Sequence, residues 1–351
     1  MRLRSAVLIA VCAALAPQPQ AQPPKPSSFA AQIASLSEAP GYFDTDNLIS
    51  NERSYLQVLP DLQKAQVRGG AYVGVGPDQN FSYIAEIRPA VAIIVDVRRD
   101  NMLLHLLFKA LFAQSRTRIE YLALLTGRPV PADVEAWRSA PIDRLVAYID
   151  NTSAIPRRFD EAVARIGVPL SAQDRATIER FHGRFIADGL SLRFQSTGRP
   201  PQAYNPTLRD LLRETDAAGR QANYLASEDA FQFVKGLQAR DLVIPITGDL
   251  SGPSALRAIG RLLASRGERL SAFYVSNVEF YLFGDGTFPR FVGNLERIPH
   301  GANSVIIRSV FGRFASPARP GDASASHLQP VDDLLRDHAA GRIRTYADIA
   351  R

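Results

Sequence analysis

Residues 71–101 read AYVGVGPDQNFSYIAEIRPAVAIIVDVRRDN, and the folding of this stretch decides the fold of the chain. GGAYVGVG (69–76) is a short apolar run with flanking glycines, which fits a buried strand. Gly74 and Gly76 stand where that strand must turn sharply into a helix. DQNFSYIAEIR carries Phe81, Ile84 and Ile87 at helical spacing, and Pro89 stops it. AVAIIVD (90–96) is a second continuous apolar run, the pattern of a parallel strand covered on both faces. Strand, glycine turn, helix and strand outline a nucleotide-binding half-site.

Working outward, strand character returns at 242–248, 271–276 and 304–311, with helical periodicity between. Alternation of this kind implies right-handed crossovers and a largely parallel sheet. The expected class is therefore α/β, Rossmann-like, a mostly parallel sheet with helices on both faces. From 115 to 240 the chain reads as a large helical insertion after the second strand, and 41–114 with 241–312 as the core. Residues 22–40 read as a linker, in which SSFAAQIASLSE forms a short helix with Ser28 as its N-cap. Residues 313–351 read as a C-terminal tail, a polar loop near 315–326 followed by a short helix around PVDDLLRDHAAG.

The N-terminus, MRLRSAVLIAVCAALAPQPQAQ, has a basic start at Arg2 and Arg4, an apolar run from Ala6 to Ala16, then small and polar residues. That layout predicts a signal peptide over 1–21, cut near Ala21, and export to the periplasm or medium. The run is shorter than the ~20 residues a membrane span needs. Cys12 is the sole cysteine, so a processed chain has no disulfide, thiolate metal site or cysteine nucleophile. With 351 residues and 46% hydrophobic content, an apolar core can carry its stability. The formal charge of +6 falls to about +4 once Arg2 and Arg4 are removed. No basic stripe with interleaved aromatics follows, so a nucleic-acid surface is not indicated. His105, His182, His300, His327 and His338 are scattered without metal-ligand spacing, and no hydrolase elbow or phosphate-binding lysine loop occurs.

The glycine turn departs from the dinucleotide fingerprint, because Gln79 stands where a third glycine is wanted. Gln79 and Asn80 open the helix beside the turn. Asp96 follows Gly76 by 20 residues, the spacing of an acid that bonds a ribose hydroxyl pair. Asp78, at the positive end of the helix, would repel a pyrophosphate, which favours a nucleoside without phosphates. Arg98 and Arg99 argue for a 2′-phosphate instead, but Asp96 would crowd that group. The other strands also end in polar residues: Gly248 and Asp249, then Ser276 and Asn277, with Glu279 just beyond. Such ends face the crevice where ligands of open α/β sheets bind. Tyr83, one turn into the first helix, reads as a core aromatic or as a crevice-facing candidate, and the polar pair Asn277 and Glu279 read as the groups nearest a substrate or as helix-start residues.

This order of elements resembles the class I S-adenosylmethionine-dependent methyltransferase fold, over residues 69–99 and 241–311. The resemblance implies a glycine turn at Gly74–Gly76, a ribose-binding Asp96 and an adenine-side Asp249. It implies that FYVSNVEFYL passes the methyl-donor sulfonium and the substrate. Three features depart from it: Tyr72 or its apolar neighbours replace the usual first acid, no closing antiparallel hairpin is legible, and the helical insertion is unusually placed. VGVGPDQNFSYI also resembles a segment shared by a family of exported bacterial proteins, which implies no particular activity. Two functions are therefore expected in competition. One is methyl transfer from S-adenosylmethionine to a small molecule or surface component. The other is an exported binding protein that keeps the crevice for another ligand.

Overall fold

The computed structural model describes residues 28–155, 159–200, 202–316 and 322–350. The expected signal peptide, and the linker up to residue 27, lie outside the described residues. Along the chain come α1 (Ser28–Leu36), α2 (Leu59–Lys64), β1 (Ala71–Gly74), α3 (Gln79–Ile87), β2 (Val91–Asp96) and α4 (Arg99–Gln114). The insertion holds α5 (Arg118–Leu125), α6 (Ile142–Asp150), α7 (Asp160–Ala164), α8 (Ala172–Asp188), α9 (Leu208–Arg213) and α10 (Glu228–Ala239). Then follow β3 (Val243–Thr247), α11 (Ala255–Arg266), β4 (Leu270–Ser276), α12 (Val278–Gly284), α13 (Phe288–Leu295), β5 (His300–Phe311), β6 (Ser324–Pro330) and α14 (Val331–Ala339).

The strands form one sheet in the order β3-β2-β1-β4-β5-β6. The first five are parallel, with Val73 paired to both Ile93 and Phe273. Val91 to Val95 are all buried, which is why the run has no polar alternation. The chain steps from β1 to β2 to β3, then returns across the sheet to β4. Right-handed crossovers then put α3, α4 and α10 on one face, where they pack together. They put α11 and α13 on the other, where α11 also meets α1. The reversal between β1 and β4 leaves a crevice at the carboxyl ends of the strands. Gly248 allows α11 to start tight against the sheet, since a Cβ there would lie 2.5 Å from the Ala255 Cβ.

Residues 324–330 correct the expected polar loop and supply the antiparallel closure that the sequence did not reveal. β6 pairs antiparallel with β5, from Val305↔Pro330 to Phe311↔Ser324. Its inward contacts are hydroxyls: Ser54 Oγ lies 2.7 Å from Ser324 Oγ and 3.1 Å from Ser326 Oγ. A strand whose inner face is satisfied by hydroxyls carries no apolar signal. Nor is the segment after 312 a detached tail, because Val331 and Leu334 are fully buried. The linker reading is corrected likewise: α1 starts at Ser28 and buries Phe29, Ile33 and Leu36 against β3 and α11. The insertion shares one continuous core with the sheet, with Tyr224 against Phe81 and Phe112. No helix among the described residues is long and apolar enough to cross a membrane.

Candidate functional site

A cavity of about 980 Å³ opens over the carboxyl ends of β1, β2, β3 and β4. Val75 and Gly76 line it from β1, Asp96 and Arg98 from β2, Gly248 and Asp249 from β3, and Ser276 and Asn277 from β4. Gln79 of α3 also reaches it. Its front wall comes from an unexpected place, the N-terminal arm between residues 38 and 52. That arm is pinned across the strand ends: Glu38 N donates to Thr247 O at 2.7 Å, and Gly41 N to Val97 O at 2.8 Å. The Glu38 carboxylate accepts from Ala255 N at 2.6 Å and Asp249 N at 3.2 Å, so it caps α11. Those bonds outweigh its burial and hold its carboxyl below the usual range. An anion already occupies that helix end.

The arm delivers Glu52, which sequence reading missed. Glu52 is 1% exposed, at the cavity wall, and no cationic side chain among the described residues pairs with it. Three hydroxyls serve it instead: Tyr274 donates at 2.6 Å, and Ser276 and Ser309 also donate to it. Burial raises its carboxyl above the ordinary value, against the pull of those donors. Tyr274 commits its proton to Glu52, so it accepts from Gln79 Nε2 at 3.3 Å. The Gln79 Oε1 is left buried without a protein partner. Ser276 sits at φ 53°, a left-handed conformation unusual for serine. Strain of this kind costs ~1–3 kcal/mol and persists where the surroundings fix it.

Six of the expected residues, Gly76, Gln79, Gly248, Asp249, Ser276 and Asn277, meet at this cavity. Gly76 has φ 80°, as the turn requires. Asp249 keeps one carboxylate oxygen on Ser251, at 2.7 Å from its N and 3.0 Å from its Oγ. Asp96 and Arg98 also line it, but as each other's partners. Asp96 Oδ1 accepts from Arg98 N at 2.9 Å and Nε at 3.2 Å, and Oδ2 accepts from Nη2 at 3.2 Å. The same guanidinium donates to Thr45 O at 2.9 Å and Asp46 O at 3.3 Å, tying the arm to β2. Arg99 turns away and pairs with Asp174 of α8 at 2.8 Å, so neither arginine is free for a 2′-phosphate.

Asp96→Ala is accordingly expected to lower stability by roughly 2–3 kcal/mol, since it leaves Arg98 buried and unpaired. Chemical denaturation checks this, and a loss below ~0.5 kcal/mol would contradict the structural role given to the pair.

Four candidates lie elsewhere. Asn80 is fully buried and is the keystone of the turn rather than a ligand group. Its Nδ2 donates to Val75 O at 2.9 Å, Gly76 O at 3.3 Å and Pro77 O at 2.7 Å, while Tyr72 donates to its Oδ1 at 2.8 Å. Gly74 makes room for it, as a Cβ there would lie 2.0 Å from Asn80 Oδ1. Tyr83 is 0% exposed, its hydroxyl spent on Tyr55 O at 2.5 Å, so it is core. Glu279 is turned from the cavity into a bidentate pair with Arg308, at 2.6 and 3.1 Å. His105 supports the turn from behind, with Nε2 2.9 Å from Gly76 O, and burial pulls its pKa down to about 4.

Asp78 precedes α3 without a side-chain capping bond, and its carboxyl faces Tyr224 Oη at 3.1 Å. Burial pushes it up to about 6. A folded-state value above the unfolded one means that the native chain holds the extra proton. Stability from this group is thus present below about pH 4 and lost as pH rises through about 6. Asp78→Asn removes the charge, so it is expected to match the parent at pH 4 and gain roughly 2–3 kcal/mol on it at pH 8. Urea titrations at both pH values measure the difference, and an equal offset at the two would contradict it.

The chain belongs to the family defined by a domain of unknown function, DUF7790, whose model matches residues 47–164 and 194–342. The match takes in the turn, all four strand ends and the part of the arm that carries Glu52. No curated protein matches the chain.

Proposed function

We propose that the crevice holds S-adenosylmethionine and that the protein transfers its methyl group to a small acceptor entering from the mouth. The observation that carries this reading is the cavity's charge at the switch point of the sheet. Asp44, Glu52, Asp96, Asp249 and Asp285 line it against Arg98, Arg199 and Arg290. Arg98 is held by Asp96, and Arg199 by Asp44 at 2.8 Å. With Glu38 already on the α11 terminus, the site disfavours phosphate and suits a neutral nucleoside with a cationic sulfonium. Gly76 would allow close approach of the ligand, Asp249 would serve its base side, and Asp96 its ribose through the lone pairs that Arg98 leaves. When bound, the group supplies an activated methyl. The protein's part is to orient the acceptor and exclude water, work that needs alignment more than a dedicated base. This reading keeps the protein exported, on the layout of residues 1–21, with its acceptor a small molecule or surface component.

One observation favours the second reading, an exported binding protein that uses the crevice for another ligand. The Asp96 carboxylate is engaged by three bonds from Arg98, and a methyl donor made in the cytoplasm must reach an exported site. Ultraviolet irradiation with methyl-labelled S-adenosylmethionine separates the two. Methyl-transferase use predicts label in peptides from 71–99 or 243–254. Labelling no greater than in heat-denatured protein would leave the binding reading standing.

A further inference from the structure

The mouth of the cavity is ringed by aromatic side chains that the fold does not need there. Tyr42, Tyr204, Phe280 and Tyr281 are between 39 and 79% exposed, and all four line it. They are four of the five most exposed large hydrophobic side chains among the described residues, the fifth being Ile155. The rest of the aromatic content is mostly packed into the core, so their convergence on one opening marks a surface kept for a ligand. They come from separate parts of the chain: the arm, the loop near 204 and α12. Phe43 meets Tyr281 edge-on at 4.9 Å, and Phe280 meets Tyr346 at 5.4 Å, so two of the rings are braced.

Beneath this ring lies a polar floor with a definite sense. The Ser276 hydroxyl gives its proton to the buried Glu52 carboxylate. Its oxygen can then only accept from anything in the cavity. Gln79 likewise has its Nε2 committed to Tyr274, and its Oε1 waits as an acceptor. A ligand placed here meets flat apolar walls outside and acceptors inside.

We infer that the outer half of the crevice takes a flat aromatic compound bearing a hydrogen-bond donor, a phenol being the simplest, with its hydroxyl on Ser276. This deepens the proposed methyl transfer by naming the acceptor class, and so rests on that reading: the phenol oxygen would take the methyl from the sulfonium, S-adenosylhomocysteine would leave, and the phenol proton would pass to Ser276 Oγ as Ser276 gives its own to Glu52. The ring itself needs no methyl donor to bind. Stacking on aromatic side chains contributes to affinity beyond area alone. A site whose buried acceptor would otherwise stay unpaired rejects the analogue that lacks the donor.

The test is equilibrium binding of 2-naphthol, its saturated analogue decahydro-2-naphthol, and naphthalene to the mature chain, alongside S-adenosylhomocysteine. The wild type is expected to bind 2-naphthol at least about tenfold more tightly than either analogue. Ser276→Ala should erase the preference for 2-naphthol over naphthalene. Tyr42→Ala with Phe280→Ala should weaken 2-naphthol about tenfold without a large change in melting temperature, because both side chains are exposed. Equal binding of the three compounds, or a Ser276→Ala protein that still prefers the naphthol, would overturn the inference. Preference for 2-naphthol without any S-adenosylhomocysteine binding would uphold the aromatic subsite and remove the methyl-transfer reading. Nucleoside binding without the preference would do the reverse.

Discussion

Glu279→Ala is expected to destabilise the protein by roughly 3–5 kcal/mol, the largest single-residue effect outside the apolar core. Glu279 and Arg308 are both buried, at 1% and 2% exposure, and face each other through two bonds. Removing the carboxylate strands a guanidinium whose other hydrogen bond among the described residues is to Ile349 O at 3.3 Å. One carbonyl does not replace the lost countercharge. The pair joins α12 to β5 and to the C-terminal residues, so its loss loosens the side of the sheet that carries Ser309. A melting temperature lower by on the order of 10 °C is expected. Glu279→Gln keeps one acceptor and should fall between. A double replacement, Glu279→Leu with Arg308→Met, should recover most of the loss, since no charge is then left buried. An unchanged melting temperature for Glu279→Ala would refute the assignment.

Asn80→Ala is expected to cost roughly 3–4 kcal/mol and to disorder the glycine turn. One amide satisfies three consecutive carbonyls, Val75, Gly76 and Pro77, and takes the Tyr72 proton. Alanine removes those side-chain bonds, of which Gly76 O keeps His105 and Pro77 O keeps the backbone N of residue 80, and each buried group left unmade costs ~1–3 kcal/mol before relaxation. Asp is the informative comparison: it keeps the acceptor for Tyr72 but has no donor for the carbonyls, so it should be no better than alanine. Amide exchange over 74–81 reads the turn directly. Protection as in the parent would show that the backbone holds this turn without Asn80.

These two residues also mark where the sequence could be read and where it could not. The five parallel strands were legible because covered strands are continuous apolar runs, and their polar ends followed from topology. Gly76, Asp96, Gly248, Asp249, Ser276 and Asn277 were reached in that way. Direction was not legible. Asn80 and Glu279 both lie beside strand ends, yet one folds back on its own turn and the other rotates toward Arg308. Tyr83 has helical spacing that suits core and crevice equally. Glu52 had no local signal at all, because its partners Tyr274, Ser276 and Ser309 are more than 200 positions away. The arm that brings it carried no signal of its position, since what holds it is backbone bonding to strand ends. β6 stayed hidden because two of its buried contacts are serine hydroxyls and its apolar content is only Ala325 and Leu328.

The acidic excess of the cavity and the engaged Asp96 pull the functional reading in different directions. Arg98 neutralises Asp96 while leaving the site short of cations for a phosphate. In the proposed reading the acidic excess favours a sulfonium nucleoside over a dinucleotide, while the engaged Asp96 counts against both.

Calorimetric titration of the protein with S-adenosylhomocysteine and with S-adenosylmethionine tests this most directly. The account predicts saturable binding at one site for both, reduced at least about tenfold by Asp249→Ala through the loss of a charged acceptor. It predicts no competition from a dinucleotide. Absence of binding heat for either compound at millimolar concentration, with the protein folded, would contradict it.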